Sequence, residues 1–251
     1  MPPWYEMAEW LCVAVLALAP VLRLWPLLDA RSRPAAELRR LWRRPGADIL
    51  LLAVVGLCGA VVVTEDVLDG GPEEIFPALD RSVRAAVAAV ASGPVRHVAA
   101  TLSDLTGVGL ATAVVAAALA LAASGRRRDG VALCLASLSA WALSIGLKQV
   151  FGVPRPHSSA FGFPSGHALV TVVACGFLAW SLTRSAPPLA RRAAYQAAAV
   201  VAVLAAASRV LLGAHWLSDV IAGLCLGLAW LGLSILIARR SLRAGDGIAV
   251  R

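Results

Sequence analysis

The sequence predicts an all-α polytopic membrane protein of six or seven spanning helices. Three observations carry that expectation. Of 251 residues, 59% are hydrophobic and only 15% charged, less charge than a soluble domain of this size carries. Apolar runs of about 18 residues or more recur along the chain, each long enough to cross a bilayer. Arginines gather in the short segments between alternate runs, the pattern of membrane topology signals.

Residues 8–28 are largely apolar, with Trp10 and Trp25 near the ends. They read as a first span or, because of Pro20 and Arg23, as an interfacial hairpin. Met1 to Trp10 carries Glu6 and Glu9 in place of a basic leader, so no cleavable signal peptide is expected. Residues 29–47 hold six arginines, from Arg31 to Arg44, and 48–64 form a clear second span. The stretch 65–80 is acidic, with Glu65, Asp66, Asp69, Glu73, Glu74 and Asp80, and is broken at Gly70-Gly71-Pro72. Residues 79–92 place apolar side chains at helical spacing around Arg81 and Arg84, which suggests a short amphipathic helix at the interface or a surface helix packed on the bundle. Further spans are expected at 98–123, 130–148, 166–183, 194–211 and 217–238.

The formal net charge of +8 does not indicate nucleic-acid binding, because the bases form short inter-span clusters. Cys12, Cys58, Cys134, Cys175 and Cys225 each fall inside an apolar run without metal or redox spacing, and read as packing residues. Basic connections at 29–47, 124–129, 184–192 and after 238 alternate with weakly charged or acidic ones. The positive-inside rule then puts the basic set in the cytoplasm. With seven spans the N-terminus lies outside; with six, both ends lie inside.

This topology gathers ionisable residues at the outer end. Lys148 closes one span, His167 opens the next, Arg209 closes another and His215 opens the last. Lys148 is also the chain's only lysine. Ionisable groups at membrane depth are costly, so such a cluster marks a functional site. Lys148, Arg155 and Arg209 supply positive charge, Ser165 a hydroxyl and Gly166 a helix-start amide, a set suited to phosphate. His215 and Asp219 are four apart on one helical face, where the carboxylate can fix one ring nitrogen and free the other for attack. His167 is the candidate general acid. No compact carboxylate cluster for a metal is present in the sequence. Among lesser features, Asp104 can pair with a site base such as Lys148 or serve as a packing polar group. His157 and His97 read as solvated or interfacial, and Gly223-x3-Gly227 as internal helix packing.

Three stretches carry a family resemblance: Lys148-x6-Arg155-Pro156, Pro164-Ser165-Gly166-His167, and Ser208-Arg209-x5-His215-x3-Asp219. Together they resemble the tripartite signature of the type 2 phosphatidic acid phosphatase (PAP2) superfamily, at every fixed position and spacing. The resemblance implies a helical core shared with the haloperoxidases and hydrolysis of a lipid phosphate or pyrophosphate at the extracytoplasmic face. It implies His215 as nucleophile through a phosphohistidine, His167 as general acid, and no metal or other cofactor. Polyprenyl diphosphate, phosphatidic acid and phosphatidylglycerophosphate are the candidate substrates. A lipid phosphotransferase would use the same intermediate, and a non-catalytic lipid-phosphate binder or transporter is the remoter alternative. The Ala-, Arg- and Gly-rich usage suggests a bacterial cell membrane. The expected organisation is an N-terminal membrane or interfacial segment at 1–47, a catalytic membrane domain at 48–240 and a cytoplasmic tail at 241–251.

Overall fold

The computed structural model describes residues 11–20, 37, 40, 46–71 and 74–248, with side chains as far as Leu242. The expected first span at 8–28 lies largely outside these residues; within it Leu11–Pro20 is a short apolar helix, α1. The elements that follow are α2 (Ala47–Asp69), α3 (Ile75–Val90), α4 (Gly93–Ala123, with a π turn at Leu105–Gly109), α5 (Arg127–Phe151), β1 (Pro154–Arg155), β2 (Ser158–Phe161), α6 (Gly166–Thr183), α7 (Pro188–Leu211) and α8 (Leu217–Ile248).

Among the described residues six helices are long and apolar enough to cross a membrane: α2, α4, α5, α6, α7 and α8. They coincide with the spans expected from residue 48 onward. In lipid a spanning segment must satisfy its own backbone, which is why each apolar run closes into a helix. Leu57, Leu119, Leu138 and Val203 remain exposed on their outer faces, where acyl chains replace water.

The bundle is built around α6. Leu169, Val173 and Phe177 of α6 are fully buried and pack with Leu133 and Ala140 of α5 and with Leu231 and Ile235 of α8. α8 runs along both α2 and α6, and α7 lies against α6 and α4. Gly223 and Gly227 sit on the α6 side of α8. A Cβ at Gly223 would stand 2.6 Å from the Ser165 carbonyl oxygen, and one at Gly227 2.7 Å from Val172 Cβ. The GxxxG pair therefore serves internal packing, as expected. All five cysteines are free thiols.

Two of the basic connections, 124–129 and 184–192, meet at one end. Asp129 is buried between Arg126 and Arg184, at 2.7 and 2.8 Å, and Arg126 also donates to the Ser181 carbonyl oxygen at 2.6 Å. These contacts tie the α4–α5 connection to the end of α6.

Two features go beyond the sequence reading. The loop after α5 is not structureless: β1 and β2 form an antiparallel ribbon, pairing Pro154 with Phe161 and Arg155 with Ser158. The amphipathic helix begins at Ile75, and it begins there because Asp66 of α2 caps it. The Asp66 carboxylate accepts from the backbone N–H of Ile75 at 3.1 Å and of Phe76 at 2.6 Å, two of the donors a helix start leaves unpaired. Phe76 joins a small core of Val63, Phe163 and Ala222, which seats α3 on the end of the bundle opposite the arginines.

Candidate active site

The site forms where α5, α6, α7 and α8 end or begin. Lys148 stands in the last turn of α5. Gly152, left-handed at φ 65°, ends that helix and turns the chain into the ribbon that carries Arg155. α6 starts at Gly166, directly after the cis Phe163–Pro164 bond and Ser165. The start is tight: a Cβ on Gly166 would lie 2.7 Å from Ser144 Oγ, which would have to move, and 3.6 Å from Lys148 Nζ. The Ser165 N–H donates to the Asp219 carbonyl oxygen at 2.8 Å, which locks the second motif to the third through the backbone.

The third motif is a helix end, a tight turn and a helix start. The Ala214 and His215 amides donate to the Arg209 carbonyl oxygen at 3.0 and 3.3 Å. Gly213 adopts φ 65° and presses against His157, whose Nε2 would stand 2.9 Å from a Cβ there. No L side chain suits both conditions. The turn delivers His215 into the bundle at 3% exposure. Its Nδ1 lies 2.9 Å from Asp219 Oδ2. The same oxygen accepts the Trp216 N–H at 3.1 Å. An ionised carboxylate only accepts, so Nδ1 carries the proton and Nε2 keeps its lone pair. Burial is the main effect lowering the His215 pKa; the positive charges of Lys148 and Arg209 add to it, while Asp219 opposes through its hydrogen bond and charge. The net effect favours the neutral ring.

The other expected residues converge on this pair. His167, in the first turn of α6, is close enough to feel the charges of Arg209, His215, Lys148 and Arg155. It faces the π turn of α4, where a Cβ on Gly107 would sit 3.0 Å from its Nε2. Arg209 Nη1 donates to Ser103 Oγ at 2.6 Å. Among the described residues five buried side-chain polar atoms have no hydrogen-bond partner: Arg155 Nε, Ser165 Oγ, Arg209 Nε, Asp219 Oδ1 and Thr171 Oγ1. Four of the five belong to the three motifs, and three of those four are donors. Buried donors are normally satisfied, so their concentration here marks a place for acceptor oxygens. Among the described residues no group of three or more His, Cys, Asp or Glu side chains is arranged to hold a metal ion.

The structure also corrects and extends the sequence reading. Asp104 is exposed and makes no ion pair with Lys148, but its charge acts on Arg209, the base that its buried neighbour Ser103 meets by a hydrogen bond. His157 is exposed but held, with Nδ1 3.1 Å from Arg84 Nη2. Arg84 Nη1 donates to the Pro156 carbonyl oxygen at 2.8 Å, and its guanidinium lies 5.1 Å over the Trp216 ring. Trp216 Nε1 donates to the Pro154 carbonyl oxygen at 3.1 Å. Asp80 is buried and accepts from Ser218 N–H at 2.9 Å and from Ser218 Oγ at 2.5 Å. Burial pushes the Asp80 carboxyl above the usual carboxylate range, and the Ser218 hydrogen bonds pull against that. The sequence signalled Asp80 only as part of an acidic stretch and Arg84 only as a charge on an amphipathic helix.

The PAP2 superfamily model matches residues 129–243, the segment that holds all three motifs. That segment, a little under half of the chain, is similar to the PAP2 superfamily. Phosphatidylglycerophosphatase B of Bacillus subtilis (strain 168) is 40% identical over 77 residues, 30% of this chain and 38% of that protein. This chain thus matches less than half the length of that PAP2 relative. The crystal structure of a transmembrane PAP2-type phosphatidylglycerolphosphate phosphatase from Bacillus subtilis superposes with a TM-score of 0.64 at 24% identity, over 76% of this chain and 96% of that one. That likeness is one of fold, and it extends the common architecture beyond the matched PAP2 segment.

Proposed function

We propose that the chain is a membrane phosphatase that removes the terminal phosphate of a lipid phosphate or pyrophosphate, without a metal ion, through a phosphohistidine. The observation that carries this reading is the set of buried, unpartnered donors on Arg155, Ser165 and Arg209, gathered around the His215–Asp219 pair, in which Asp219 engages the ring at Nδ1. Lys148, Arg155 and Arg209 neutralise the phosphate, and with Ser165 and the Gly166 amide they fit the trigonal bipyramid of phosphoryl transfer. His215 Nε2 attacks phosphorus as the bond to the leaving oxygen breaks, and His167 gives that oxygen its proton. His167, now neutral, takes a proton from water, which attacks the phosphohistidine and releases phosphate and His215. Asp219 faces the imidazole as it gains positive charge.

The polar end of the bundle is opposite the arginine-rich end, which under the positive-inside rule supports a site at the extracytoplasmic headgroup level. Among the candidates, the activity in the name of the Bacillus subtilis relative favours phosphatidylglycerophosphate, ahead of phosphatidic acid and polyprenyl diphosphate. The test is phosphate release by purified protein in detergent, in the presence of EDTA, over these three lipids. Release from at least one of them is expected. Release only after Mg²⁺ is restored, or from none of the three, overturns the reading.

A further inference from the structure

We propose that Asp80 is a positioning residue for the His215–Asp219 pair, so that α3, which lies outside the three motifs, belongs to the catalytic machinery. The inference rests on the reading of His215 as nucleophile. Asp80 is 8% exposed, and its two carboxylate oxygens hold the start of α8: Oδ1 accepts the Ser218 N–H at 2.9 Å and Oδ2 the Ser218 hydroxyl at 2.5 Å, with the Leu217 backbone N–H adding to them. Ser218 stands in the first turn of α8, where backbone N–H groups lack helical partners, and it directly precedes Asp219. One carboxylate thereby fixes both the backbone and the side chain of the residue that leads into the His215 partner.

The next turn of α3 grips the same stretch. Arg84, four residues after Asp80 and so on the same helix face, lies over the Trp216 ring and donates to Pro156 beside Arg155. The segment from His215 to Asp219 is thus held on the α3 side by a two-point clamp, while the ribbon closes it through Trp216 and Pro154.

The chemistry of the position is specific. Two donors of Ser218 converge on Asp80, and only a carboxylate offers two acceptor oxygens in one plane. Asp80 makes no ion pair among the described residues and lies in the field of Asp219, a like charge. A buried carboxylate with that neighbour is costly. What it holds is the geometry of Asp219, whose Oδ2 must reach both His215 Nδ1 and the Trp216 N–H. Reacting groups misplaced by about 1 Å lose on the order of a hundredfold in rate. The charged side chains of the phosphate cradle stand on α5, the ribbon and α7, and its Ser165 and Gly166 at the start of α6, so loss of Asp80 on α3 disturbs the nucleophile and leaves phosphate binding in place.

The test compares wild type, His215→Ala, Asp80→Asn, Asp80→Ala, Ser218→Ala and the Asp80→Asn/Ser218→Ala double variant, purified in detergent. Readouts are kcat, KM, the inhibition constant of vanadate and the rate of phosphoenzyme formation. Asp80→Asn is expected to lower kcat and phosphoenzyme formation by about tenfold or more, with KM and vanadate affinity within about threefold. Ser218→Ala loses less, because its N–H remains, and the double variant is no slower than Asp80→Asn alone. Arg81→Ala, on the exposed face of α3, keeps the wild-type rate. If Asp80→Ala fails to fold, the near-isosteric Asp80→Asn and Ser218→Ala decide. Normal kcat in the Asp80→Asn protein, a loss confined to KM, or additive losses in the double variant overturn the inference. If wild type releases no phosphate, or His215→Ala still does, the functional reading itself falls, which is a different result.

Discussion

Asp219→Asn separates the chemistry of the site from its architecture. Asp219 is fully buried, and asparagine matches its shape, so no cavity opens. The backbone bond from Ser165 N–H to the Asp219 carbonyl oxygen is untouched. What changes is the face towards His215. Oδ2 now accepts from two donors, His215 Nδ1 at 2.9 Å and the Trp216 N–H at 3.1 Å. An amide turned to place its NH₂ there opposes donor to donor and drives the imidazole proton to Nε2, which removes the attacking lone pair. The other amide orientation keeps one neutral acceptor but loses the negative charge opposite an imidazole that becomes positive. Hydrogen bonds to charged groups contribute about 1.5–3 kcal/mol, and the lost charge adds to this in a water-poor site. A total of about 3–4 kcal/mol at the transition state corresponds to about 10²–10³ in kcat. The equivalent change in a Ser-His-Asp triad costs about 10⁴. The assay is phosphate release from a lipid phosphate under saturating and limiting substrate. KM should stay within about threefold, since Lys148, Arg155 and Arg209 still hold the phosphate. A kcat within about fivefold of wild type, or a loss carried by KM alone, would refute the assignment of Asp219 as the partner that sets the tautomer.

Three further outcomes are expected. Lys148→Arg keeps the charge but brings a larger, planar group against Ser144 and Gly166, and should lower kcat by about tenfold or more; near-normal turnover would reduce Lys148 to an anchor of the helix end. Burial lowers the His215 pKa, so the neutral ring should persist below the ordinary value of about 6.5. Vanadate-protected inactivation of a His167→Ala protein by diethyl pyrocarbonate should therefore lose half its rate at a pH under 6.5, and a midpoint above that value would contradict the neutral nucleophile. In a cysteine-free background, a cysteine at Ser159 in the ribbon should react with an impermeant thiol reagent on intact cells and one at Arg127 should not; the reverse pattern would place the site in the cytoplasm.

The six spans were legible because lipid imposes one requirement, a long apolar run closed into a helix, and a sequence displays that directly. The candidate phosphate-binding residues were legible because they are polar groups stranded at the ends of such runs. Rotation about a helix axis was not. Ser103 and Asp104 differ by about 100° around α4, and nothing in the run Ala99 to Gly109 announces the π turn that follows them, or that Ser103 is the one that hydrogen-bonds Arg209. Long-range partners were equally hidden. The acidic stretch before α3 was visible as composition, but Asp66 acts on Ile75 and Phe76, and Asp80 on a serine 138 residues further along the chain. The ribbon at Pro154 to Phe161 is too short to carry a strand pattern of its own; Arg84 and Trp216, distant in sequence, hold it in place.

The central claim is a covalent bond between phosphorus and His215, and acid–base work by His167. Rapid quench of enzyme mixed with a ³²P-labelled lipid phosphate tests it most directly, with the labelled residue located by peptide mapping. Wild type should give an alkali-stable, acid-labile adduct on His215, and His215→Ala should give none with any substrate. His167→Ala should label slowly from lipid phosphates, whose alkoxide leaving group needs a proton, yet label readily from nitrophenyl phosphate and then accumulate the adduct, because the water that clears it also needs His167. Label on His167 in the His215→Ala protein, with none in His167→Ala, would reverse the two roles, and turnover without any labelled histidine would contradict the phosphohistidine altogether.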